Sequence, residues 1–156
     1  LSVKYLESGA IFSPDGKYRY ELHRKWGEGP ILNSIGLNPS RAGNENDDPT
    51  IRREVGFAMG WGYGALYKYN LFAFISSDPK ALCSNPDPIG PDNNGYLKNL
   101  KGDVLICWGS WNMSFIWMRA ALVKQILKNP YCLGRNPDGE PKHPLYLPST
   151  TKLERY

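Results

Sequence analysis

The stretch Asp103-Val104-Leu105-Ile106-Cys107-Trp108-Gly109 decides the fold. It is a short, almost wholly apolar run stopped by glycine, the mark of a strand buried on both faces, and such strands belong to parallel sheets covered by helices. Working outward, Ile31-Leu32-Asn33-Ser34-Ile35-Gly36-Leu37 and Ala65-Leu66-Tyr67-Lys68-Tyr69-Asn70 read as two more strands, and Tyr131-Cys132-Leu133 as a short last one. After the first comes an irregular loop, then Asp48-Pro49-Thr50, an N-cap with Pro at the first helical position. Ile51, Val55 and Met59 share a face of that helix, and Gly60 ends it. A short helix is expected around Asn94 to Leu100. Phe115 to Leu127 forms another, with Ile116, Ala120, Val123 and Ile126 at helical spacing. Near the N-terminus, Ala10-Ile11-Phe12 and Tyr18-Arg19-Tyr20-Glu21-Leu22 flank the turn residues Ser13-Pro14-Asp15-Gly16. The expectation is an α/β protein: a three-layer α/β/α arrangement with a central, mostly parallel four-stranded sheet and an N-terminal β-hairpin.

Composition sets the outer bounds. A chain of 156 residues, 41% hydrophobic and 22% charged, suits one domain over 1–156 with its own core. Sixteen Gly and thirteen Pro make it loop-rich. No apolar run approaches the roughly 18 residues of a membrane span and no basic-then-apolar leader opens the chain, so no membrane partner and a cytoplasmic location are expected. Cys83, Cys107 and Cys132 form no CxxC pair, and His23 and His143 form no HExxH pattern. No metal and no cofactor are expected, and the cysteines read as small buried hydrophobes. The net charge of +4 is compatible with a phosphate-bearing partner without establishing one.

Ligands of open α/β sheets bind at the carboxyl ends of the strands. Polar or unusual residues gather there: Asn38 after the first core strand, Asn70 ending the second, Trp108-Gly109 ending the third, and His143 beyond the fourth. Gly60-Trp61-Gly62-Tyr63-Gly64 looks like a dinucleotide loop but follows a helix and precedes a strand, the wrong polarity for that role.

This order resembles the uracil-DNA glycosylase superfamily. Gly36-Leu37-Asn38-Pro39-Ser40 fits its first motif, and Leu66-Tyr67-Lys68-Tyr69-Asn70-Leu71 fits its strand ending in a base-reading Asn. Val104-Leu105-Ile106-Cys107-Trp108-Gly109-Ser110 and His143-Pro144-Leu145-Tyr146-Leu147 fit the later motifs. The chain is similar, more closely still, to a bacterial and phage domain family of unknown function. The superfamily resemblance implies hydrolysis of an N-glycosidic bond in DNA, at a modified or mismatched pyrimidine. It implies that Asn38 positions water, Asn70 pairs with the base edge, and His143 donates to a carbonyl oxygen of the leaving base. Leu147 would be the wedge that fills the gap left by a flipped nucleotide. Arg41, Arg52 and Arg53 would contact DNA. Two departures stand out. Asn38 replaces the acid of the faster enzymes, as in the slower mismatch-specific branch. Ser40 replaces a Tyr that excludes 5-substituted pyrimidines. Ile51 occupies the distance at which the family stacks an aromatic on the base, which leaves Phe57 as the candidate for stacking.

Plainer readings stand beside these. Asn38 and Asn70 can be turn and loop formers, His143 an exposed loop residue, and Leu147 part of the core. Asp47-Asp48 reads as a helix cap, or as a carboxylate that replaces the missing acid. Arg52 and Arg53 oppose the helix dipole, through a nearby anion or a salt bridge to Asp47 or Glu54. The alternatives to a glycosylase are an enzyme of the same fold acting on free nucleotides or in DNA base modification, and a non-catalytic nucleic-acid or protein-binding module.

Overall fold

A computed structural model describes residues 3–41 and 46–156. Part of the irregular loop predicted after the first core strand lies outside the described residues. The strands are β1 (Glu7–Phe12), β2 (Arg19–Lys25), β3 (Ile31–Gly36), β4 (Ala65–Asn70), β5 (Asp103–Ile106), β6 (Tyr131–Cys132) and β7 (Glu154–Arg155). The helices are α1 (Pro49–Gly60), α2 (Ala81–Ser84), α3 (Asn93–Lys98) and α4 (Ser114–Ile126). All the strands form one mixed sheet, in the order β1-β2-β4-β3-β5-β6-β7.

The expected sheet of four strands is therefore too small, and it is not mostly parallel. The pairings β4–β3, β3–β5 and β5–β6 are parallel, but β1–β2, β2–β4 and β6–β7 are antiparallel. The hairpin is no separate appendage: β2 lies along β4, with Leu22 opposite Lys68 and Lys25 opposite Ala65. The sequence hides this because the β2–β4 pairing joins segments far apart in the chain, and β7 is too short to carry a periodic signal.

Alternation along the strands builds two cores. Leu32, Leu66, Leu105 and Cys107 face one side, where Ile51, Val55 and Ala58 of α1 cover them. Ile35, Tyr69, Val104 and Ile106 face the other, against Ile116, Ala120 and Val123 of α4 and Leu82 and Leu97 of α2 and α3. Each such buried aliphatic side chain contributes about 1.5–3 kcal/mol. Met59 and Ile126, expected on the buried helix faces, are each 42% exposed. Asp48 caps α1 as expected, its Oδ1 accepting from the Ile51 N–H at 2.8 Å. Cys107 and Cys132 are buried, whereas Cys83 is exposed.

Candidate active site

The parallel register of β3 and β4 sets Gly36 opposite Asn70, so both strands release their next residues at the same level. Pairing continues beyond the strands, because Leu71 N–H donates to Gly36 O and Phe72 N–H to Leu37 O. Downstream of β5, Gly109 N–H donates to the Pro141 carbonyl at 3.0 Å, which draws the C-terminal loop to the same edge. Gly109 has a φ of +78°, and a Cβ there would lie 3.5 Å from Cβ of His143.

These strand ends and the start of α1 enclose a cavity of about 230 Å³. Asn38, Ser40, Asn70 and His143 all line it, so four residues singled out in the sequence meet in one place. Asp48, Ile51, Lys68, Arg19 and Trp111 line it as well.

Asn70 is 2% exposed, and its Nδ2 is buried with no hydrogen-bond partner among the described residues. A buried amide normally finds partners, so this donor stands unspent on a residue of the cavity lining. Asn38 differs: its Nδ2 donates to the carbonyls of Ser76 at 2.8 Å and Pro39 at 3.1 Å. The remaining polar atom of the Asn38 amide is Oδ1, an acceptor that can orient a water molecule but cannot deprotonate it.

His143 Nδ1 accepts from the Leu145 N–H at 3.2 Å, so the neutral ring carries its proton on Nε2. Burial pulls its pKa below the ordinary histidine value and the Lys68 ammonium pulls the same way, against Glu54 and Asp48. The imidazole is therefore a neutral donor at neutral pH. The Ser40 hydroxyl donates to Asp48 Oδ2, so its proton is already committed. Asp48 is thus both the helix cap and a carboxylate on the cavity wall.

Beneath the cavity lies a buried polar cluster that the sequence did not announce. Lys68 Nζ meets Glu54 Oε1 at 2.9 Å, and Ser34 donates to the same carboxylate oxygen. Burial pushes the Cys107 thiol up to about 12, with Lys68 opposing, so it stays protonated. Burial also pulls Lys68 down, but the Glu54 carboxylate, by its charge and its hydrogen bond, opposes this, and the ammonium sits above its ordinary pKa. Arg19 also lines the cavity; burial lowers its pKa to about 10 against the pull of Asp48, so it too remains charged at neutral pH.

Other expected residues lie elsewhere. Phe57 stacks on Trp61 at a centroid distance of 5.4 Å and receives the Arg53 guanidinium at 4.9 Å, outside the cavity. Roughly 1.7 turns of helix separate it from Ile51, which does reach the wall; an aromatic on the wall is Trp111. Arg52 donates to the Asp47 carbonyl at 2.7 Å and forms no salt bridge among the described residues. Asp47 itself pairs with Arg24 at 2.8 Å. Arg52 and Arg53 flank a shallow depression with Ser149, and Arg41 borders another with Lys17 and Phe74. Leu147 is half-buried against the α1-side core, and its neighbour Tyr146 is 99% accessible at a φ of +67°. No group of three or more metal-ligating side chains occurs among the described residues, and no described helix is long and apolar enough to cross a membrane.

A family model described as a protein of unknown function, DUF1643, matches residues 19–145, the span from β2 into the His143 loop. No curated protein and no solved structure matches the chain.

Proposed function

The chain belongs to the DUF1643 family, whose description names no activity, and from the cavity we propose that it hydrolyses the N-glycosidic bond of a modified or mismatched pyrimidine, in the manner of the uracil-DNA glycosylase superfamily. The observation that carries this reading is the buried Nδ2 of Asn70, unpartnered among the described residues, in the same cavity lining as the neutral His143 donor. A pyrimidine edge offers carbonyl acceptors to both groups. In the reaction the C1′–N bond breaks and its electron pair leaves with the base. The oxygen of water bonds to C1′, and its released proton balances the charge of the departing base. Asn38 Oδ1 holds that water. His143 Nε2–H stabilises the charge developing on the base carbonyl, and a fixed donor of this kind needs no reorganisation as charge develops.

The cavity volume of about 230 Å³ suits one base and not a whole nucleotide with its neighbours. Arg41, Arg52 and Arg53 do not line the cavity, and this favours a second reading in which the substrate is a free nucleotide or nucleoside. The deciding experiment incubates the protein with duplexes bearing uracil, thymine mismatches and 5-substituted pyrimidines, scored for abasic sites, alongside the corresponding free nucleosides and nucleotides, scored for released base. Cleavage in the duplex arm alone supports the DNA reading, and cleavage in the free arm alone supports the second. Intact substrates in both arms remove the hydrolase reading.

A further inference from the structure

The cavity's electrostatics are asymmetric. Among the described residues its lining carries Arg19, Lys68 and one carboxylate, Asp48, which is already engaged by Ser40 and by the Ile51 N–H. Lys68 projects from the middle of β4 toward α1, where most positions are apolar. The carboxylate that balances it, Glu54, is fully buried behind it and does not reach the cavity. A ligand therefore meets the positive end of this pair first.

Two of the three bonds that the ammonium makes are long ones that a ligand can replace. Of its three N–H donors, one goes to Glu54 at 2.9 Å, while the contacts to Ser34 Oγ and Cys107 Sγ are long, at 3.4 and 3.8 Å. Gly36 leaves the room that this side chain occupies at the wall. A Cβ at that position would lie 2.7 Å from Lys68 Nζ and 3.1 Å from Asn70 Oδ1. Ammonium and amide thus stand beside one glycine on the cavity wall, and any larger residue there would press on both.

We infer that Lys68 is the anion-holding residue of this cavity, and that its preferred ligand is a pyrimidine ring bearing negative charge rather than a neutral one. The inference rests on the pyrimidine reading above and deepens it, because a base leaving with the glycosidic electron pair is such a ring. Glu54 keeps the lysine charged, and Ser34 keeps Glu54 in place.

The test compares two rings of similar size by calorimetric titration: barbiturate, an anion at neutral pH, and uracil, which is neutral. Wild type should bind barbiturate at least tenfold more tightly than uracil. In the double variant E54Q/K68M, which removes the pair without stranding either charge, that ratio should fall to near one. Inorganic phosphate is titrated in parallel, and Arg19→Met serves as the comparison cation. Equal binding of the two rings by wild type overturns the inference and leaves the pyrimidine reading standing, whether or not any variant folds. A preference lost in Arg19→Met but kept in E54Q/K68M overturns it too. Phosphate binding that depends on Lys68, with neither ring bound, keeps the anion-holding role and removes the pyrimidine. Failure of wild type to bind all three probes removes both.

Discussion

The backbone N–H of Leu145 donates to Nδ1 of His143 at 3.2 Å, and this one bond fixes which face of the imidazole can act as a donor. The ring is half-buried, and its pKa is held down by burial and by Lys68. The unfolded chain therefore takes up a proton on His143 at a higher pH than the folded chain does. Its contribution to stability is complete above the ordinary histidine range and is lost as the pH falls through the folded pKa. NMR titration of the ring, assigned by its loss in His143→Gln, should give a midpoint below that of free histidine. The same variant should lose less stability than wild type on acidification from neutral pH. A midpoint above neutral pH would mean that the ring is protonated there and cannot be the neutral donor.

Glu54 and Lys68 form a buried pair with side chains 0% and 6% exposed, so removing one partner is costly whereas removing both is not. Glu54→Ala strands an ammonium and should destabilise the protein by about 3–5 kcal/mol, read as a fall in the urea midpoint. E54Q/K68M removes both charges and should cost far less. Similar losses in the two proteins would show that the cluster is held by packing and not by charge.

Gly64 approaches another chain segment so closely that a side chain has nowhere to go. A Cβ there would lie 2.4 Å from the Gly29 nitrogen and 2.7 Å from the carbonyl oxygens of Gly27 and Gly29, all backbone atoms that cannot swing away. Gly64→Ala should cost about 1–3 kcal/mol. Gly60→Ala, where a Cβ meets nothing, should be neutral or stabilising by up to about 1 kcal/mol. Chemical denaturation of both variants tests the contrast. The glycine run that resembled a nucleotide loop is thus packing chemistry, at least at Gly64.

What the sequence discloses follows from distance along the chain. Asn38, Asn70 and His143 are legible because each follows a periodic segment whose end can be read locally. Lys68 and Ser34 are not, since their partner Glu54 lies on α1 and a buried strand reads the same with or without one distant ion pair. Arg19 sits in an alternating hairpin strand, where arginine ordinarily faces water. It reaches the cavity only because β2 is drawn alongside β4. Helical spacing places Phe57 and Ile51 on different parts of α1, so counting residues from the first motif does not locate the aromatic wall.

Trp111 supplies that wall, and its indole is anchored by an N–H donated to the Trp108 carbonyl at 2.6 Å. An aromatic held this way can stack on a planar base without first being ordered. Trp111→Ala should weaken binding of any cleaved or bound pyrimidine by about 1–3 kcal/mol, and Trp111→Phe by less. Phe57→Leu should leave affinity unchanged, since Phe57 lies outside the cavity. Titration of the three variants separates the roles, and equal losses in Trp111→Ala and Phe57→Leu would show that the Trp111 effect is indirect.

Ser40 governs what fits beside the base. It lines the cavity next to Asn38, and its hydroxyl proton goes to Asp48. A polar 5-substituent would therefore meet an acceptor oxygen rather than a free donor. The small side chain leaves room that a phenol ring would fill, and steric exclusion discriminates more strongly than the ~1–3 kcal/mol a pocket gains from one methylene. Ser40→Tyr should thus depress activity or affinity toward 5-substituted pyrimidines far more than toward uracil. It also removes the short partner of Asp48, so Ser40→Ala is needed as the control that loses the hydrogen bond without adding bulk. If Ser40→Ala and Ser40→Tyr lower both substrates alike, the residue acts by holding Asp48 at the α1 cap. Selective loss in Ser40→Tyr alone places the 5-position of the bound ring against residue 40.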